Sequence, residues 1–128
     1  MVMDIILDFD GTCVEHKYPL IGKHNPHSEV VLNKLKMAGH KIILNTYRAD
    51  INISKLNSAI NYVQLKMDIE LDGYLKAKVE PPIFNLEKYI ESGKIFIDDI
   101  AMGIPLHPAE RMVNWYELDK LFIEHKLY

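Results

Sequence analysis

Met3-Asp4-Ile5-Ile6-Leu7-Asp8-Phe9-Asp10-Gly11-Thr12 decides the reading of this chain. An apolar run stops abruptly at two carboxylates one residue apart, followed by a glycine and a hydroxyl. Ile5, Ile6 and Leu7 read as a strand buried on both faces, the pattern of a parallel sheet. In open sheets of that kind, ligands bind where the carboxyl ends of the strands meet their loops. Two like charges ~4 Å apart at an effective dielectric of about 20 repel by roughly 4 kcal/mol. Asp8 and Asp10 in one partly desolvated pocket therefore call for a divalent cation. The competing reading is a surface turn, since Asp and Gly both favour turns. Two further strand tips of the same kind, downstream, weigh against it.

Composition bounds the rest. The 128 residues fit a single domain spanning 1–128, and 48% hydrophobic with 26% charged residues is an ordinary globular balance. A net charge of −3 gives no basic field for nucleic acid or an anionic membrane. Cys13 is the single cysteine, which excludes an internal disulfide and suits a reducing compartment. Asp4 interrupts and Asp8 ends the N-terminal apolar run, so no signal peptide is expected. No apolar run reaches the ~20 residues of a spanning helix. The expectation is a soluble, cytoplasmic protein, and nothing in the sequence specifies an oligomeric state.

Cys13 to Pro26 reads as an irregular flap punctuated by Pro19, Gly22 and Pro26. Its His16, Lys17, Tyr18, Lys23 and His24, with His27 just beyond, suit a solvated loop one by one. As a group they suit a cover for an anionic substrate, and the histidines lack a metal-ligand spacing. A first helix is expected from Pro26 or Ser28, capped by Asn25 or Ser28, with Val31, Leu35 and Ala38 inward and Gly39 as its stop. Ile42-Ile43-Leu44 forms a second buried strand, ending in Asn45-Thr46-Tyr47-Arg48. Ile53, Leu56, Ile60, Val63 and Met67 hold a helical stripe. Leu71 to Leu75 suggests a short strand, and Pro81-Pro82 precedes a helix over about 83–91 that Gly93 closes. Lys94-Ile95-Phe96-Ile97 is a third apolar strand, ending in Asp98-Asp99. Asn114 caps a last helix, with Trp115, Leu118, Leu121 and Phe122 expected to serve packing only. Strands alternating with helices predict an α/β fold, a Rossmann-like parallel sheet flanked by helices.

Three motifs together carry a resemblance. IILDFDGT resembles the first motif of the haloacid dehalogenase superfamily, a strand followed by DxDxT. LNTYR resembles its second motif and KIFIDD its fourth. The run DFDGTCVEHKYPLIGK, with no domain-sized insertion, resembles the small capless members of that superfamily, which have a short flap and no cap domain. The resemblance implies a phosphatase that uses Mg²⁺ and an aspartyl-phosphate intermediate. Asp8 would be the nucleophile and Asp10 the general acid and base. Thr46 would donate to a phosphoryl oxygen and Gly11 would let the backbone approach phosphate. Asp8, Asp98, Asp99 and a backbone carbonyl at Asp10 would hold the metal, hard oxygen donors that suit Mg²⁺ over zinc.

The lysine of the third motif is read as Lys78, with Lys76 and Lys94 as alternatives. Arg48 could clamp substrate with its planar fork, or pair with Asp50 or Glu15. His16 and Lys17 are candidate substrate contacts. Similar sequences often carry arginine where this chain has Ile100. The expected partner is a small phosphorylated molecule: a sugar phosphate, a nucleotide or a polymer-linked phosphate. A signalling receiver also uses Asp, Thr, Lys and Mg²⁺, but it keeps its acidic pair at the first strand and its phosphorylated Asp on a central one, the reverse of the order here. A degenerate, non-catalytic phosphate- or metal-binding module is the third reading.

Overall fold

Three tetrapeptides of apolar character, Asp4–Leu7 (β1), Lys41–Leu44 (β2) and Lys94–Ile97 (β4), lie side by side in a computed structural model that describes residues 1–128. All pair in parallel, and the two-residue strand Gly73–Tyr74 (β3) extends the sheet to the order β3-β2-β1-β4. Ile5, Leu7, Ile42, Leu44, Ile95 and Ile97 share one face of the sheet and are fully buried, while on the other face Ile6 of the central strand is buried and Ile43 and Phe96 are partly so.

The register levels the strand tips. Leu7 stands opposite both Leu44 and Ile97. The ladder continues one residue further, where the Asp8 amide donates to the Ile97 carbonyl (2.9 Å) and the Asn45 amide to the Leu7 carbonyl (2.7 Å). Asp8, Asn45 and Asp98 therefore emerge at one height. Strand order also reverses there: β2 and β3 lie on one side of β1 and β4 on the other. Such a switch point opens a crevice at the carboxyl ends of its strands.

Helix α1 (Ser28–Met37) starts differently from expectation. Neither Asn25 nor Ser28 caps it; His27 precedes it in the left-handed region (φ 73°) without a side-chain cap. Both expected caps are used elsewhere. The Asn25 amide nitrogen donates to the carbonyls of Thr12 (2.8 Å) and Val113 (2.7 Å), and the Ser28 hydroxyl donates to the Asn25 carbonyl (2.7 Å). The inward face is Val31, Leu32 and Leu35, while Ala38 is exposed and Gly39 takes φ +94° just after the helix.

A short helix α2 (Arg48–Ile51) precedes the predicted stripe, which runs through helix α3 (Ile53–Asn61) and a π-helical turn over Tyr62–Lys66. Extended Asn52 separates the two helices and caps α3 by accepting from the Lys55 amide (2.9 Å). That break leaves Ile53 exposed, while Leu56, Val63 and Met67 reach the core. β3 is shorter than predicted because Asp72 takes a different role, accepting from the Ile42 amide (2.7 Å) and from Lys36 (2.9 Å). Helix α4 (Leu86–Ser92) begins late, at the Asn85 cap, and leaves Ile83 exposed. Helix α5 (Trp115–Glu124) is capped by Asn114 as predicted and buries Trp115, Leu118 and Phe122.

One core of 27 buried residues joins these elements. Buried His40 ties the two ends of the chain together: its Nδ1 accepts from the Met3 amide (3.0 Å), so its Nε2 carries the proton donated to the Leu127 carbonyl (2.7 Å). No helix is long and apolar enough to cross a membrane.

Candidate active site

Asp8 leaves β1 into the crevice almost wholly shielded from solvent. Thr12, one turn later, donates its hydroxyl to Asp8 Oδ2 (2.8 Å) and accepts from the Asp99 amide (3.1 Å), coupling the first and last strand tips through one side chain. The Thr12 carbonyl is held in turn by Asn25 and by the Trp115 indole N–H (2.8 Å). Trp115 thus does more than pack, contrary to the sequence reading: it fixes the loop that presents Asp8. Buried Cys13 donates to the Asp8 carbonyl (3.4 Å), and burial pushes its thiol well above the usual range. It is a structural thiol.

The Lys78 ammonium bridges the two acidic tips, donating to Asp8 Oδ1 (2.9 Å), Asp98 Oδ2 (2.6 Å) and the Asn45 carbonyl (3.3 Å). It is aimed by its own loop. Asn45 Oδ1 accepts from the Val79 amide (2.9 Å), Asn45 Nδ2 donates to the Val79 carbonyl (2.8 Å), and Asp50 accepts from the Lys78 amide (3.0 Å). The alternatives fall away: Lys76 is exposed, and Lys94 pairs with Asp4 at the opposite end of the sheet.

Charge in the crevice does not balance. Carboxylate oxygens of Asp8, Asp98 and Asp99 lie within 4.8 Å of one another, with Lys78 as the one ammonium among them. Burial, and then the charge of Asp98, holds the Asp8 carboxyl well above its ordinary range despite Lys78. Burial also raises Asp99, with Asp98 adding to it. Burial alone would lower Lys78, but Asp8 and Asp98 outweigh it and its pKa is raised. Asp99 pairs with no lysine or arginine, and the Asp10 carbonyl accepts no hydrogen bond. The three clustered carboxylates form a hard-oxygen donor set that could hold a divalent metal ion. The Asp10 carboxylate itself is not part of that cluster.

It is held instead by Arg48. The guanidinium clamps Asp10 through Nε and Nη2 (both 2.8 Å), and its remaining donors reach the Ser58 hydroxyl (2.9 Å) and the flap carbonyls of Leu20 (2.9 Å) and Pro19 (3.4 Å). The guanidinium lies over the rings of Phe9 and Tyr18, at 5.2 and 5.1 Å from their centroids. The partner of Arg48 is thus neither Asp50 nor Glu15, and its fork is fully engaged by protein. Each Asp10 oxygen keeps a second lone pair, so the clamp orients the carboxylate without exhausting it.

Gly11 has a different neighbour from the one expected. At φ +85° its missing side chain leaves room for the Asp99 carboxylate, which a Cβ there would strike. Thr46 is buried and accepts from the Arg48 amide (3.1 Å), with its own proton uncommitted.

A cavity of about 240 Å³ opens over these groups, lined by Asp8, Asp10, Thr46, Lys78, Asp98 and Asp99 at its floor. His16 is on its wall, but Lys17 is not; Lys17 is exposed and pairs loosely with Glu15 (3.6 Å). Tyr18, Tyr47, Ile51 and Ile100 complete the wall. The sequence reading passed over Tyr47 and Ile51, and a side chain that rims a cavity from a short helix leaves no spacing signal.

No family model matches the sequence, and neither does any curated protein. Among solved structures, the chain is similar to one described as a conserved protein coded by a locus from Bacteroides thetaiotaomicron. The two are 30% identical, with 98% of this chain and 93% of the other covered and a TM-score of 0.68. The chain belongs to that protein's family.

Proposed function

We propose that this protein is a cytoplasmic, Mg²⁺-dependent phosphohydrolase that cleaves a phosphate monoester through an aspartyl-phosphate intermediate. The observation that carries the reading is the crevice at the strand switch point, where three carboxylates cluster and Lys78 bridges two of them. Resemblance of the three strand-tip motifs to the haloacid dehalogenase superfamily supports it.

Asp8, Asp98 and Asp99, with the Asp10 carbonyl, would hold Mg²⁺, which when bound offsets the negative charge of nucleophile and phosphate alike. Thr12 and Lys78 fix the two Asp8 oxygens and so aim the nucleophile. In the first step an Asp8 oxygen bonds to phosphorus, the ester bond breaks, and the leaving oxygen takes a proton from Asp10. In the second, Asp10 takes a proton from water, whose oxygen attacks phosphorus and frees Asp8 and inorganic phosphate. Lys78 and the Thr46 hydroxyl stabilise the phosphoryl oxygens as charge builds on them. Arg48 holds Asp10 at its station.

Release of p-nitrophenol from p-nitrophenyl phosphate, with and without Mg²⁺, tests the reading. Many turnovers per chain with Mg²⁺ support it. A single stoichiometric phosphorylation would point to a receiver, and neither would point to a binding module.

A further inference from the structure

The walls of the cavity, as distinct from its floor, define the leaving group; the argument rests on the phosphoryl-binding reading above. Arg48 and Lys78 are the only lysine or arginine lining the cavity, and both are already matched to acids, Arg48 to Asp10 and Lys78 to Asp8 and Asp98. Lys17 lies off the wall beside Glu15. No lysine or arginine of the wall is left over for a second anionic group on the substrate. What the wall offers is apolar surface: Tyr18, Tyr47, Ile51 and Ile100 are 38, 51, 54 and 51% exposed and all face the cavity. Exposed aromatic and branched side chains gathered around one opening mark a binding surface. A charged substituent set against them would lose hydration and gain no partner.

We infer that the substrate carries one phosphoryl group on an uncharged, apolar leaving group of aromatic or comparable size. Sugar bisphosphates, nucleoside di- and triphosphates and phosphorylated acids are disfavoured by the same wall. Tyr47 has a double position, since its ring also lies over the Lys78 ammonium at 5.2 Å. An aromatic leaving group would meet it beside the phosphoryl site.

Calorimetric titration of the intact protein, in Mg²⁺, with non-hydrolysable phosphonates reads this preference without requiring turnover. Phenylphosphonate is expected to bind at least about tenfold more tightly than both methylphosphonate and 4-carboxyphenylphosphonate, a gap of about 1.4 kcal/mol. Ile100→Lys should narrow the gap between the phenyl and carboxyphenyl ligands by supplying the missing cation. Equal affinities, tighter binding of the carboxylate, or no binding of any of the three overturns the inference. Preference for phenylphosphonate in a protein that fails to turn over phenyl phosphate would instead overturn the phosphohydrolase reading and leave the ligand class standing.

Discussion

Asp8 and Asp119 are both shielded carboxylates within reach of a lysine, and their surroundings drive them in opposite directions. Asp119, on α5, is one acid served by three donors: His27 Nε2 (2.7 Å), Lys34 (3.2 Å) and the Tyr128 hydroxyl. Burial would raise its pKa, but those hydrogen bonds outweigh burial and the carboxyl is held below its usual range. At the strand tips the ratio is inverted, with three acids around one ammonium, and Asp8 and Asp99 are pushed up. The protein supplies all the countercharge in one place and too little in the other. A deficit of that kind costs stability, so its location marks where a ligand is meant to contribute.

Turnover offers the sharpest contrast. Asp8→Asn should lower kcat by at least about a thousandfold with p-nitrophenyl phosphate, while Asp119→Asn leaves it within about twofold. Appreciable activity in a folded Asp8→Asn protein would remove Asp8 as nucleophile.

Next comes the cost of deleting each lysine. Lys78→Met strands buried acids and should destabilise the metal-free protein by about 3–5 kcal/mol in urea, whereas Lys34→Met should cost under about 1 kcal/mol because its ammonium is well exposed. Equal costs would erase the distinction between the two regions.

Metal reads the same difference from the other side. Mg²⁺ at a hundred times its Kd should stabilise the native state by about 2.7 kcal/mol and raise Tm. Asp98→Asn should blunt that rise and Asp119→Asn should not; an undiminished rise in the Asp98 variant would exclude it as a ligand.

The smallest effect is in pH. With metal chelated, Asp8 has a raised folded pKa, so its ionisation penalises the native state increasingly as pH climbs from the unfolded value near ~4 through the folded one. Asp119 has a depressed folded pKa, so its contribution is complete above ~4 and fades as pH falls through the folded value. The stability difference between wild type and Asp8→Asn should therefore turn against wild type with rising pH. The difference from Asp119→Asn should turn against wild type with falling pH, and parallel slopes would contradict both assignments.

The parts of the fold legible in the sequence are those in which a local pattern had no competitor. β1, β2 and β4 each carry an apolar run of three residues, Ile5-Ile6-Leu7, Ile42-Ile43-Leu44 and Ile95-Phe96-Ile97, that ends in a polar tip. Lys78 was legible through the family resemblance, which places a lysine after a short strand and ahead of the acidic pair, while the residues alone left Lys76 and Lys94 open. What was hidden depended on meetings between distant residues. Asn25 looks like a cap, yet its amide nitrogen is taken by Thr12 and Val113, one close in sequence and one remote. The bond from Trp115 to Thr12 spans 103 residues, and the Arg48–Asp10 clamp spans 38. No periodicity encodes such pairs. Lys17 and His16 share the flap that the family resemblance points to, but in an irregular loop neighbours need not turn to the same side, and only His16 reaches the cavity.

The Arg48 guanidinium carries a consequence for motion. It grips Asp10 and Ser58 from below and the Pro19 and Leu20 carbonyls from above, so the flap is latched to the same cation that orients the acid. Swinging the flap outward would take one acceptor from each terminal nitrogen, Pro19 from Nη1 and Leu20 from Nη2, and leave the Asp10 clamp in place. Under the phosphohydrolase reading, any displacement of the flap would therefore reach the proton donor through a single planar side chain.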